Sequence, residues 1–170
     1  MLKKVITLFA PIALASMVAF SSVQASPTPD ASGMFLEDVS PVKGQAAFVN
    51  AIKLFKEEVT AAGWSLLGTD NVAGVLSERG FTVHPVMVFS VCSGKYSSKL
   101  LAKDETRFIA SMIPCRVAIY MKSDGTVVIS RMNSVGMAQM IGGEAGSVIQ
   151  QSGTDMEGII AKTMSRLSTN

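Results

Sequence analysis

Histidine is almost missing from this 170-residue chain, which carries His84 alone, and cysteine occurs only at Cys92 and Cys115. One histidine and two distant cysteines do not give the ligand spacing of a structural zinc site. The absent C-x-x-C-H motif excludes covalent c-type haem, and the absent C-x-x-C removes the ordinary signature of thiol–disulfide catalysis. No Ser-His-Asp or Cys-His pattern surrounds His84, so a general-base mechanism would rest on that residue alone. A polar strand entrance before Pro85 is the simpler reading, and no catalytic residue or metal-ligand set is assigned. Basic runs are missing too. The chain has 15 basic and 13 acidic residues, with no electrostatic footprint for nucleic acid or for anionic lipid.

The N-terminus reads as an address rather than as part of a fold. Lys3 and Lys4 precede an apolar run from Val5 to Phe20, broken by Pro11. Val23-Gln24-Ala25 then presents small residues at the −3 and −1 positions, which predicts signal-peptide cleavage between Ala25 and Ser26. The apolar run is too short for a membrane span, which needs about 20 residues. No cysteine follows the cleavage site, so a lipoprotein anchor is not expected. Loss of Lys3 and Lys4 brings the basic count down to the acidic 13. The expected organisation is a signal peptide at 1–25, a mobile Pro/Gly leader at 26–33 and a single domain over 34–170. The expected location is periplasmic or secreted, with no membrane span after cleavage.

Within the domain, Met34 to Val39 reads as a short strand, and Ser40-Pro41 as a cap and first-turn proline. Phe48, Ile52, Phe55, Val59 and Ala62 follow helical spacing, and Gly63 is placed to end that helix. Trp64 to Leu67 reads as a strand. Asp70 can cap a short helix through Val72, Val75, Leu76 and Arg79, closed by Gly80. The almost wholly apolar Val86–Cys92 suits a covered strand, which Pro85 can start but not interrupt. A helical stretch follows from Tyr96, and another is expected after Asn133, ending at Gly142-Gly143. Thr154-x-x-Glu157 reads as a capping box opening the last helix, whose stripe runs through Met156, Ile159, Ile160, Thr163, Met164 and Leu167.

The stretch from Met112 to Asn133 predicts a β-hairpin with Cys115 at its entrance. Asp124-Gly125 supplies a type I turn followed by a left-handed glycine, which pairs Lys122 with Thr126. Met121 then faces Val127, Ile119 faces Ile129 and Val117 faces Arg131, giving one coherent apolar face that a one-residue slip would scatter. Cys115 shares that core-side parity; Arg116, Tyr120, Ser130 and Met132 take the other. Helices between strands and a hairpin define an α/β (α+β) two-layer sandwich, with helices packed on a small sheet.

Val91-Cys92, the run Met112-Ile113-Pro114-Cys115-Arg116-Val117-Ala118-Ile119-Tyr120, Asp124-Gly125, Ile129-Ser130-Arg131-Met132-Asn133 and Met137-Ala138-Gln139-Met140-Ile141-Gly142-Gly143 together carry a resemblance. This constellation resembles the exported bacterial members of the domain-of-unknown-function family numbered 302. The resemblance implies a small α/β sandwich that forms homodimers, and it implies no established reaction or catalytic residue. Ser93-Gly94 departs from the Asn-Pro expected after the first cysteine.

The candidate chemistry is short. In an exported chain Cys92 and Cys115 could form a disulfide or a redox pair, provided their strands run antiparallel or the loops cross over the sheet end; two separate buried thiols are the alternative. Thiolate and thioether ligands suit Cu(I), which brings in Met132, Met137 and Met140, although methionine equally fills irregular cores. Arg116 and Arg131, with Asn133 or Glu144, could bind an anion or a partner chain; a solvated or dimer-edge arginine is the plainer reading. The sequence thus predicts a non-enzymatic exported module, without cofactor, that binds a small ligand or protein partner as a homodimer. The alternative is a periplasmic thiol-redox or Cu(I)-handling protein using Cys92 and Cys115.

Overall fold

Alternating apolar strands and one long apolar helical stripe need a common core, and the chain builds it as two layers. In a computed structural model, which describes residues 26–169, six strands form one sheet: β1 (Thr28–Pro29), β2 (Phe35–Lys43), β3 (Ser65–Asn71), β4 (Val86–Cys92), β5 (Cys115–Met121) and β6 (Thr126–Met132). The helices are α1 (Gln45–Ala61), α2 (Val72–Ser77), α3 (Gly94–Leu101), α4 (Asp104–Arg107), α5 (Ser134–Ile141) and α6 (Gly143–Ser168). The sheet order is β1-β2-β6-β5-β4-β3, and every pairing is antiparallel. The expected signal peptide lies outside the described residues. Among the described residues no helix is long and apolar enough to cross a membrane.

The hairpin has the expected register. Met121 pairs with Val127, Ile119 with Ile129 and Val117 with Arg131. Gly125 adopts φ 81°, the left-handed value that its turn demands. Asp124 fixes that turn by accepting from the Thr126 amide at 3.0 Å and its hydroxyl at 2.8 Å. These hydrogen bonds, with the Lys43 ammonium, hold the Asp124 carboxyl well below the usual carboxylate range. The core face of the sheet carries Phe89, Val91, Val117, Ile119, Val127 and Ile129, all buried. Against it pack α1, through Phe48, Leu54, Phe55 and Val59, and α6, through Met156, Ile159, Ile160 and Leu167.

Several boundaries differ from the expected ones. Ser40-Pro41 does not open α1. Both lie inside β2, where the register shifts between Val39 and Lys43, so the missing proline N–H interrupts no regular ladder. The Ser40 hydroxyl instead bonds the Val42 carbonyl at 2.8 Å. Asn71, not Asp70, caps α2, accepting from the Gly74 amide at 2.9 Å. The segment expected to be a loose leader contributes β1, because Asp30 closes a turn by accepting from the Phe35 amide at 3.0 Å. The capping box at Thr154 is not a helix start. That residue sits in the middle of α6 and donates its hydroxyl to the Gln150 carbonyl at 3.0 Å.

Helix α6 reaches back to Gly143 because small residues let α5 lie directly against it. A Cβ on Gly146 would stand 2.4 Å from the Ala138 carbonyl oxygen, and one on Gly153 would stand 3.0 Å from the Val135 side chain. A Cβ on Gly158, in the same helix, would meet nothing within 4 Å. Gly146→Ala is therefore expected to destabilise the fold by about 1–3 kcal/mol, whereas Gly158→Ala should stabilise it by about 0.5–1 kcal/mol. Urea denaturation of the two variants beside the parent checks both signs.

Candidate functional site

Strand β6 ends on the core face with a charge. Arg131 shares the parity of Val127 and Ile129, and its side chain is only 3% exposed. An isolated buried guanidinium would be prohibitive, so its partners must be close. Asp38 reaches it from β2, where the register sets that residue opposite Ile129 and hence on the same face. Glu157 reaches it from α6, accepting from the arginine Nε at 3.0 Å and from Nη2 in a two-point contact. Burial alone would lower the guanidinium pKa, but hydrogen bonds and charge from Glu157 and Asp38 outweigh it and hold the pKa above its ordinary value. The expectation of a solvated or dimer-edge Arg131 is corrected: it ties two strands to the longest helix.

Cavities lie on both sides of this triad. One, of about 90 Å³, opens at the base of the hairpin among Met112, Cys115, Ser152, Gly153, Met156 and Glu157, with Arg131 in its wall. The other is a groove of about 490 Å³ between the N-terminal strand and α6. Ser26 to Thr28, Glu37, Asp38, Val39, Ala161 and Met164 line it, again with Arg131 and Glu157.

The remaining candidates separate. Cys92 and Cys115 lie on adjacent antiparallel strands, as a disulfide would require, and both are free thiols here. The register pairs Cys115 with Val91, so Cys92 lies one residue further and, by strand alternation, on the opposite face. The Cys92 sulfur lies 2.9 Å from the Ser97 hydroxyl. Cys115 faces Ser152; burial, then the neighbouring Cys92, push its thiol pKa up. Arg116 is exposed on the other sheet face, 3.6 Å from Asp70. Asn133 caps α5, accepting from the Gly136 amide at 2.9 Å, and Glu144 pairs with Lys103. Neither arginine thus pairs with Asn133 or Glu144. Met140 is 75% exposed and does not reach Cys115, whereas Met132, although on the non-core parity of β6, lines the same cavity as Cys115. His84 lies exposed in the loop before β4 and lines neither cavity. Among the described residues no group of His, Cys, Asp or Glu is arranged to hold a metal.

Asp38 and Ser152 carry no expectation from sequence, and Met112, Met156 and Glu157 are expected only as a family run, a core stripe and a capping box rather than at a site. A signal existed for Asp38: it alternates with Leu36 on the inward parity of its strand, and an inward acid calls for a cation.

A two-layer sandwich on an antiparallel sheet, with a buried ion triad between two cavities, defines a small α/β module. Residues 41–163 match the family described as "Domain of unknown function DUF302", and the chain belongs to that family. No curated protein matches. Among solved structures the chain is similar to an uncharacterized conserved DUF302 protein from Bacillus stearothermophilus. That similarity has a TM-score of 0.62 and 18% identity, covering 78% of this chain and 97% of that one. At that identity the likeness speaks for the fold.

Arg131→Met would strand Asp38 and Glu157 without their cation, with a loss of about 3–5 kcal/mol expected. The triple change Arg131→Met, Asp38→Leu, Glu157→Met should recover most of that loss, because it removes the desolvated charges together. Denaturant midpoints of the single and triple variants measure both.

Proposed function

We propose that this protein is an exported, non-enzymatic module that binds a small organic cation in the groove beside β1 and works as a homodimer. The groove carries the reading. Its volume of about 490 Å³ falls in the range of small-molecule sites. Its lining places three carboxylates, Glu37, Asp38 and Glu157, against one guanidinium that is already bonded to two of them. The residual charge is negative, while Val39, Pro41, Ala161 and Met164 supply apolar wall. A ligand with a cationic head and a compact apolar body matches both features. Cleavage before Ser26 would leave that rim residue as the new terminus.

Thermal unfolding with a panel of primary and quaternary ammonium compounds tests this. Saturation at 100 times Kd adds about 2.7 kcal/mol of stability, so a clear rise in Tm is expected for at least one compound. Ala161→Trp, which fills the groove from an exposed helix position, should abolish the rise. No shift across the panel, or a shift untouched by Ala161→Trp, would overturn the reading.

The homodimer part rests on the sheet face away from α1 and α6. It presents Val86, Val88, Ala118 and Met132, half-buried, with Phe35 45% and Val39 54% exposed. Val128 at its centre is fully buried, flanked across the strands by Val39 and Tyr120. Burial, and then Glu37, raise the Tyr120 pKa, so the phenol stays a donor to that carboxylate. An apolar strip of this kind is ordinarily covered. Light scattering on the purified protein should return a dimer mass, and Phe35→Lys with Val39→Lys should return a monomer. A monomeric parent would exclude this surface as the contact.

A further inference from the structure

The small cavity at the base of the hairpin is lined by sulfur-bearing residues from separate parts of the chain, three from the core side and Met132 from the outer parity of β6. Cys115 opens β5, Met112 ends the short 3-10 turn Phe108–Met112 before it, and Met156 comes from the middle of α6. All three belong to the core side: Met156 is 5% exposed, and Met112 and Cys115 pack partly buried against the same cluster. The space between them exists because Ser152 and Gly153, one turn before Met156, carry small side chains where α6 passes the hairpin. The cavity of about 90 Å³ has room for an ion but not for an organic ligand of ordinary size.

We propose that Cys115, Met112 and Met156 form a binding site for a soft monovalent cation of the Cu(I) class. One thiolate and two thioethers are soft ligands, and soft ligands select Cu(I) over the hard divalent ions that carboxylates hold. The charge also balances. On binding, the Cys115 thiol releases its proton to solvent and the thiolate forms the sulfur–metal bond, with no change of oxidation state. Thiolate plus Cu(I) is neutral, which suits a site whose wall includes Pro114, Val117 and Met156. Arg131 in the wall does not oppose the ion, because its charge is already met by Asp38 and Glu157. The Ser152 hydroxyl, in reach of the Cys115 sulfur, supplies the outer hydrogen bond that orients a ligating group.

This site differs from the one expected from sequence. Cys92 lies on the other face and is not part of it, nor is the exposed Met140; of the expected sulfur residues besides Cys115, only Met132 lines this cavity. It is also independent of the groove, which contains none of the three sulfurs.

The test is an anaerobic Cu(I) titration of the purified protein against a chromophoric Cu(I) chelator, followed by X-ray absorption of the loaded protein. Stoichiometric retention with an all-sulfur coordination shell is expected. Cys115→Ser should lose retention, while Met112→Leu and Met156→Leu, which conserve core volume, should each weaken it at least about tenfold. Cys92→Ser should bind like the parent. Circular dichroism of each variant separates lost ligation from lost fold. Failure of the parent to hold Cu(I), a nitrogen- or oxygen-dominated shell, or undiminished retention in a folded Cys115→Ser variant would overturn the proposal.

Discussion

Arg131 is held between Asp38 and Glu157, and this buried three-charge contact joins β2, β6 and α6 into one unit. Each charge moved out of water carries a penalty of several kcal/mol, repaid only when partners are close and hydrogen bonds complete. All three side chains must therefore arrive together. That fixes the register of β2 on β6 and the rotation of α6 about its axis. A slip of one residue in β2 would turn Asp38 to the outer face and leave the guanidinium half-paired in the core. An apolar pair at the same places would hold the layers together, yet it would tolerate sliding that the ion contact forbids.

The long helix has to satisfy a second demand. To deliver Glu157 to Arg131 it must run close over the sheet, while its first half lies against α5 at backbone distance. Gly146 and Gly153 permit that approach, at helix positions where glycine is intrinsically unfavourable. Tertiary contact therefore overrides propensity through this stretch. The same economy of side-chain volume leaves space: Ser152 and Gly153 sit where a larger residue would fill the cavity beside Cys115. Close helix packing and the cavity thus share one cause.

What could be read from sequence follows the range of the forces involved. The hairpin was legible because both of its determinants are local: a turn that needs a left-handed glycine at Gly125, and alternation that puts Val117, Ile119, Val127 and Ile129 on one face. The same alternation already set Arg131 across from Val117. Its burial could not be read, since the partners lie 93 and 26 residues away in sequence. The start of α6 was obscured by chemistry that is ambiguous within a short window. A threonine hydroxyl can cap a helix or bond back to the preceding turn, and Thr154 does the second. Pro41 misled for a related reason: a proline tolerated in the first turn of a helix is equally tolerated at a strand irregularity. The sulfur cluster draws on residues far apart in the chain, and no local pattern links Met112 to Met156.

The two cavities share a wall, and this limits what any single substitution can say about them. Arg131 and Glu157 line both, so changing either alters the fold, the groove and the sulfur site together. Residues that touch one cavity alone carry the discriminating information. Val39, Ala161 and Met164 belong to the groove, and Cys115, Met112 and Met156 to the cavity at the hairpin base. A buried ion contact placed between two openings stiffens their floor, since either carboxylate that leaves the guanidinium leaves it half-paired. Ligand in either opening would meet a preset surface rather than shape one, and preorganisation of that kind lowers the ordering cost of binding.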